Sequence, residues 1–126
     1  MRRFGICEEK GSGIDKVIRS VEIYQLPAPD FRVGEKHTTA VMFGHKPLEE
    51  MDSRDKIRAC YQHCCLRYVM NEKMTNQSLR ERFKLAEDKS DYASRIIRDT
   101  LEVKIIKLDD PVNTSKRYAK YIPFWA

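Results

Sequence analysis

Arg95 and Arg98 lie three residues apart, with Lys89 and Ser94 before them and Lys107, Lys116 and Arg117 further along the chain. A guanidinium is a planar fork that pairs bidentately with phosphate or a guanine edge, whereas an ammonium acts as a compact point charge. Gathered on one surface, such side chains would bind a polyanion. The two arginines would approach base edges, and Lys89, Lys107, Lys116 and Arg117 would position the phosphate backbone. The same stretch also has a purely structural use. Asp91, Arg95 and Asp99 are spaced four apart, as are Arg98 and Glu102, and such pairs can hold arginines along a helix face. Asp109 and Asp110, next to Lys107, would repel phosphate.

Two further groupings raise other chemistry. Gly11-Ser12-Gly13 precedes a helical stretch, and backbone N–H groups at a helix start can hold a phosphate. No Gly-Lys-Ser/Thr follows and no strand precedes, so neither a P-loop nor a dinucleotide fingerprint is formed, and a simple turn accounts for the residues equally well. Cys60, His63 and Cys64 have the composition of a metal site. On a helix, however, His63 points about 100° away from Cys64, so core packing is the better account and no metal ligand is assigned. His37 and His45 have no evident acid or nucleophile partner, and no catalytic residue is assigned.

The elements that must position these side chains follow from periodicity. Ile14, Val17, Ile18 and Val21 predict a helix running to about Ile23, stopped by Pro27 and Pro29. Phe31 to Val33 and Thr38 to Phe43 are β-prone and flank Gly34-Glu35-Lys36-His37, a hairpin signal. Residues 48–54 read as a linker. Helices are then expected at about 55–70, 76–84 and 90–101. In the first, Ile57, Tyr61, Cys64 and Tyr68 form a stripe that Cys60, Cys65 and Val69 widen. Thr75 or Asn76 caps the second, with Ser78 and Glu81 as a capping-box alternative, and Leu79 and Phe83 face inward; Ser90 caps the third, with Tyr92, Ile96, Ile97 and Leu101 as its apolar side. Val103 to Leu108 and Arg117 to Ile122 predict two returning strands, and Phe124 and Trp125 an apolar plug that docks the chain end.

Three helices followed by two strands around a polar loop outline a winged helix-turn-helix, in which the third helix enters the major groove and the wing touches backbone. The fold class is therefore α+β, and double-stranded DNA becomes the first partner to test. Charge permits this without demanding it: the net is +5, split into 8 Lys/Arg against 6 Asp/Glu over 1–47 and 16 against 13 over 48–126. No apolar run is long enough to span a membrane, and the N-terminus lacks a signal-peptide pattern, which predicts a cytoplasmic protein without a membrane partner. Four cysteines at positions 7, 60, 64 and 65 suit reduced thiols better than a disulfide framework.

The runs CEEKGSGIDKVIRSVEIYQLPAPDF, RACYQHCCLRYV, TNQSLRERF, SRIIRDTLE and YAKYIPFWA resemble a family of bacterial transcriptional regulators, also described as having a RecG-type helicase C-terminal-like region. Members typically join a Schlafen/Alba-type DNA-binding domain to a region resembling GHKL-type ATPases, followed by a winged helix. By this resemblance residues 1–47 are the end of a GHKL-like region: a helix plus β-hairpin remnant. Gly11, Ser12 and Gly13 would then lie near nucleotide phosphates in a complete parent protein. The asparagine box and the D-x-G-x-G box do not occur here, so the resemblance implies no cofactor for this chain and ATP only for the full-length parent.

The sequence thus predicts the C-terminal part of a transcriptional regulator, with residues 55–126 binding DNA and no catalysis by this chain. The alternative is an oligomerisation or protein-docking module of a larger regulator. The helix-plus-hairpin piece cannot bury both faces of its sheet, so Ile14, Val17, Val21, Val41 and Phe43 are expected to pack on the helical unit, on the rest of the parent protein, or on a second copy in a homodimer.

Overall fold

The computed structural model describes residues 12–112 and 119–126. Its elements are α1 (Ser12–Ile23), β1 (Asp30–Val33), β2 (Thr38–Val41), a 3-10 turn (Leu48–Glu50), α2 (Ser53–Val69), α3 (Asn76–Arg82), a second 3-10 turn (Glu87–Lys89), α4 (Ser90–Glu102), β3 (Ile106–Leu108) and β4 (Tyr121–Pro123). The fold is α+β: helices beside two separate two-stranded antiparallel sheets, β1–β2 and β3–β4. Tyr121 also bridges antiparallel to Met74, so the segment between α2 and α3 joins the edge of the second sheet.

Local chemistry explains most boundaries. Asp52 accepts a bond from the Asp55 N–H and starts α2. Thr75 caps α3 through a reciprocal box with Ser78, each side chain bonding the other residue's backbone N–H. Ser90, expected as a cap, is instead the first residue of α4: its backbone is already helical, because Lys89 and the preceding 3-10 turn carry the chain in. Strand β3 begins at Ile106, three residues later than expected. Val103 N–H bonds the Asp99 carbonyl and Lys104 turns left-handed with φ 66°, so the end of α4 consumes these β-prone residues. Gly34 closes the first hairpin, where an added Cβ would lie 3.2 Å from the His37 carbonyl oxygen.

Residues after each helix take left-handed φ without glycine: Gln25 at 57°, Asn71 at 62°, Lys84 at 53° and Lys104 at 66°. After α1, α2 and α3 the next N–H reaches back five residues, as in Leu26 to Val21, Glu72 to Arg67 and Leu85 to Arg80. These turns satisfy helix carbonyls at the expense of backbone strain.

The core joins Ala59, Cys60 and Cys64 of α2 to Met74, Leu79, Phe83, Ala93, Ile96, Ile97 and Ile106, with Ala28 and Met51 at its margin. The buried arc of α2 differs from the predicted stripe. Ala59, Cys60, His63, Cys64 and Leu66 are buried, whereas Ile57 and Tyr61 are half-buried and Tyr68 and Val69 exposed. The reason is that α2 packs against α4 and β4 and also against α1 and α3. The chain end docks along the remaining flank. Tyr61 stacks on Phe124 at 6.5 Å, Tyr68 meets Trp125 edge-on at 5.5 Å, and the Trp125 indole N–H donates to the Tyr61 hydroxyl.

The α1 segment is fastened onto the helical unit by polar contacts. Arg82 donates to the Leu26 carbonyl, Arg58 to that of Ala28 and Gln62 to that of Pro29. Val21 is buried, Val17, Val41 and Phe43 are half-buried, and Ile14 remains exposed. The 48–54 stretch is packed too: Met51 is buried and Lys46 bonds Asp55 at 3.2 Å.

Candidate nucleic-acid interface

Helix α4 divides its residues sharply. Ala93, Ile96, Ile97 and Thr100 are buried, with the Thr100 hydroxyl donating to the Ile96 carbonyl at 2.8 Å. Ser94, Arg95 and Arg98 therefore lie on the exposed side, and Lys89 is exposed where the helix begins. The N-terminal half of α4 is tied to the start of α3. The Asn76 amide donates to the Ser90 carbonyl at 3.0 Å and to the Ser94 hydroxyl at 2.9 Å, while Arg80 bonds the Asn76 side-chain oxygen at 2.8 Å. This clamp fixes how the exposed face of α4 is presented relative to α3.

The four-apart ion pairs do not form among the described residues. Arg95 instead lies over the Tyr92 ring at 5.8 Å, a ring that Lys56 of α2 also approaches, at 5.3 Å. Arg98 comes within 3.9 Å of Asp99, with both side chains well exposed, a contact of little energetic weight. Both arginines thus keep donors for a partner. Asp91 and Glu102 share the exposed side, so residues 89–102 carry three cations against three carboxylates and are locally neutral.

Lys107, on β3, is exposed and donates to the Ala126 carbonyl. Lys116 and Arg117, the expected wing cations, lie outside the described residues, as does Gly11. Ser12 and Gly13 open α1, and a Cβ on Gly13 would meet nothing within 4 Å. Among the described residues, the structure brings Ser94, Arg95 and Arg98 together on α4, with Lys89 where that helix begins and Lys107 apart from them on β3.

The largest departure from the sequence reading is a buried polar cluster. His63 bonds the Glu22 carboxylate through Nδ1 at 2.8 Å and the Ser78 hydroxyl through Nε2 at 3.0 Å. Arg82 Nε lies 3.4 Å from the same Glu22 oxygen, with its side chain 1% exposed. The Arg82 guanidinium is ion-paired, but Nε and Nη1 lack hydrogen-bond geometry to any acceptor among the described residues. Burial pulls its pKa down and the Glu22 charge opposes that shift. Serine, histidine and carboxylate in this connectivity resemble a nucleophile relay. Ser78 nevertheless sits in the α3 capping box, donating to the Thr75 carbonyl and accepting from the Thr75 N–H, and is 6% exposed. A hydroxyl so engaged presents no nucleophile to a substrate; the cluster joins α1, α2 and α3.

Cys60 and Cys64 are buried and free, and Cys65 is half-buried and free. Desolvation pushes the Cys60 thiol up to about 12 and raises that of Cys64 further. Among the described residues no three of His, Cys, Asp and Glu come together in a way that could hold a metal ion. No helix among them is long and apolar enough to cross a membrane.

A family model described as "Putative ATP-dependent DNA helicase recG C-terminal" matches residues 1–42. The match covers the amino-terminal third alone. It takes in α1 and the first hairpin and stops before α2. No curated protein and no solved structure matches the chain.

Proposed function

We propose that this chain is the C-terminal part of a transcriptional regulator in which residues 55–126 form a winged helix-turn-helix that binds duplex DNA, without catalysis by this chain. The observation carrying this reading is the exposed face of α4. Ser94, Arg95 and Arg98 stand outward at helical spacing while Ala93, Ile96, Ile97 and Thr100 anchor the helix to the core. In the winged-helix arrangement that face enters the major groove, and the β3–β4 loop, with Lys116 and Arg117 in its sequence, reaches the adjacent backbone. The element order α2, α3, α4, β3, β4 supports the reading, as does the Met74–Tyr121 bridge, which adds a third short strand segment beside β4. The family match supports a GHKL-like origin for residues 1–42, with ATP, near Gly11, Ser12 and Gly13, a ligand of the complete parent.

A second reading has its own observation. Tyr68, Val69, Met70, Phe124 and Trp125 are exposed large apolar residues at the end of α2 and the chain end, the composition of a protein-docking surface. Fluorescence anisotropy with labelled duplex DNA at several salt concentrations separates the two. DNA binding by about four phosphate contacts gives a slope of log K against log salt near −3 to −4. No detectable binding at low salt and high protein concentration would favour docking.

A further inference from the structure

The first hairpin stands almost free of the other described residues, most of its positions being exposed. Among the described residues, strands β1 and β2 pair only with each other, in the register Asp30–Val41, Phe31–Ala40, Arg32–Thr39 and Val33–Thr38. Phe31 is 40% exposed and Val33 84%. A lone two-stranded sheet is marginally stable in water, and its unpaired edge is a template for another strand.

The edge of β1 has a definite hydrogen-bonding phase. The turn closes with the Gly34 N–H on the His37 carbonyl at 2.7 Å, so in the antiparallel ladder Arg32 and Asp30 point their backbone groups inward at β2. Phe31 and Val33 consequently direct theirs outward, and among the described residues no other segment pairs with them. An incoming antiparallel strand must meet the Phe31 N–H and carbonyl as a hydrogen-bonded pair. The residues on either side of Phe31 are Asp30 and Arg32, of opposite charge and on one face of the strand, where they bond each other at 3.0 Å.

We infer that β1 is the interface with a second copy of this chain, pairing antiparallel about a two-fold axis at Phe31. In that register Phe31 exchanges both backbone hydrogen bonds with its symmetry mate. Asp30 falls opposite the second copy's Arg32, and Arg32 opposite its Asp30, at the closely spaced non-hydrogen-bonded positions where side chains interact most strongly. The sequence Asp-Phe-Arg is its own antiparallel complement. Moving the axis to Val33 would set Arg32 against Gly34 and Phe31 against Glu35, losing both charge pairs. Pro29 has no N–H, and its carbonyl already accepts from Gln62, so the ladder ends there and slippage in that direction gains nothing. The product is a four-stranded sheet, β2–β1–β1–β2, that joins the Phe31 and Val33 faces of the two copies. The contact is short and belongs at the weak end of specific interfaces.

The test is sedimentation equilibrium of the full chain over a concentration series, with Asp30→Arg, Arg32→Asp and the double swap Asp30→Arg/Arg32→Asp. The unaltered chain dimerises. Each single reversal sets like charges opposite each other at two symmetric positions and weakens the dimer by about tenfold or more. The double swap leaves the strand self-complementary and restores the dimer, a rescue that no general loss of folding would give. Hydrogen exchange provides a second readout: the Phe31 amide becomes protected as concentration rises, and the outward Ala40 amide of β2 does not. A chain that stays monomeric, a dimer indifferent to the single reversals, a double swap without rescue, or protection at Ala40 in place of Phe31 each overturns the proposal.

Discussion

Removing the Glu22 carboxylate tests the packing of α1 on the helical unit. Glu22 is 16% exposed and faces the 1% exposed Arg82 side chain at 3.4 Å and His63 Nδ1 at 2.8 Å. With an effective dielectric of about 20, unit charges at that first separation attract by about 5 kcal/mol. Taking away one member of a buried pair also strands the other, and typical losses are about 3–5 kcal/mol. Against a total stability of roughly 5–15 kcal/mol, Glu22→Ala therefore removes a large share. Arg82→Met should do less damage. It deletes the buried charge instead of orphaning it, fills similar volume, and leaves Glu22 bonded to His63 at the more accessible end of the cluster. Urea unfolding monitored by circular dichroism gives both free energies. The expected order is Glu22→Ala well below Arg82→Met, with Glu22→Ala shifting the midpoint by more than the slope change can explain. A loss under about 1 kcal/mol for Glu22→Ala, or an Arg82→Met loss equal to or larger than it, would refute the reasoning from an uncompensated charge.

Further outcomes follow from other features of the fold. Cys60 and Cys64 should react with a thiol reagent far more slowly than Cys65, since burial holds both as neutral thiols. Because the Cys60 pKa rises on folding from 9.0 to about 12, its contribution to stability is complete below pH 9 and declines as pH climbs toward 12, which alkaline unfolding midpoints would register. Lys84→Gly should raise stability by about 0.5–1 kcal/mol in thermal unfolding, because the left-handed residue after α3 no longer carries a Cβ penalty. In the DNA assay, Lys116→Ala/Arg117→Ala should weaken all duplexes alike and flatten the salt slope by about one to two units, while Arg98→Ala should relax preference at one base position.

How much was legible in the sequence depended on the range of the interaction responsible. Helices α2, α3 and α4 lay within two residues of their expected bounds because apolar spacing and a cap such as Thr75 act within a few residues, although the Asp52 cap of α2 and the pairing of Thr75 with Ser78 emerged only in the structure. The first hairpin was equally local, set by β-prone runs around Gly34 to His37. On α4 the inward Ile96 and Ile97 fixed by elimination that Ser94, Arg95 and Arg98 face out, so this part of the candidate interface followed from the pattern alone.

Tertiary structure decided what periodicity does not encode. His63 sits off the Cys60–Cys64 stripe, yet it is buried because α1 and α3 bring Glu22 and Ser78 to that flank from 41 and 15 residues away. The Asn76 clamp on α4 and the Arg82 bond to the Leu26 carbonyl span 18 and 56 residues and leave no spacing signature. Helix ends built on Gln25, Lys84 and Lys104 in place of glycine left no local signal, because none of these residue types favours the left-handed backbone it adopts. The sequence determined the elements through short-range backbone and side-chain preferences; which faces those elements bury, and which charges they pair, depended on contacts that exist only once the chain has closed on itself.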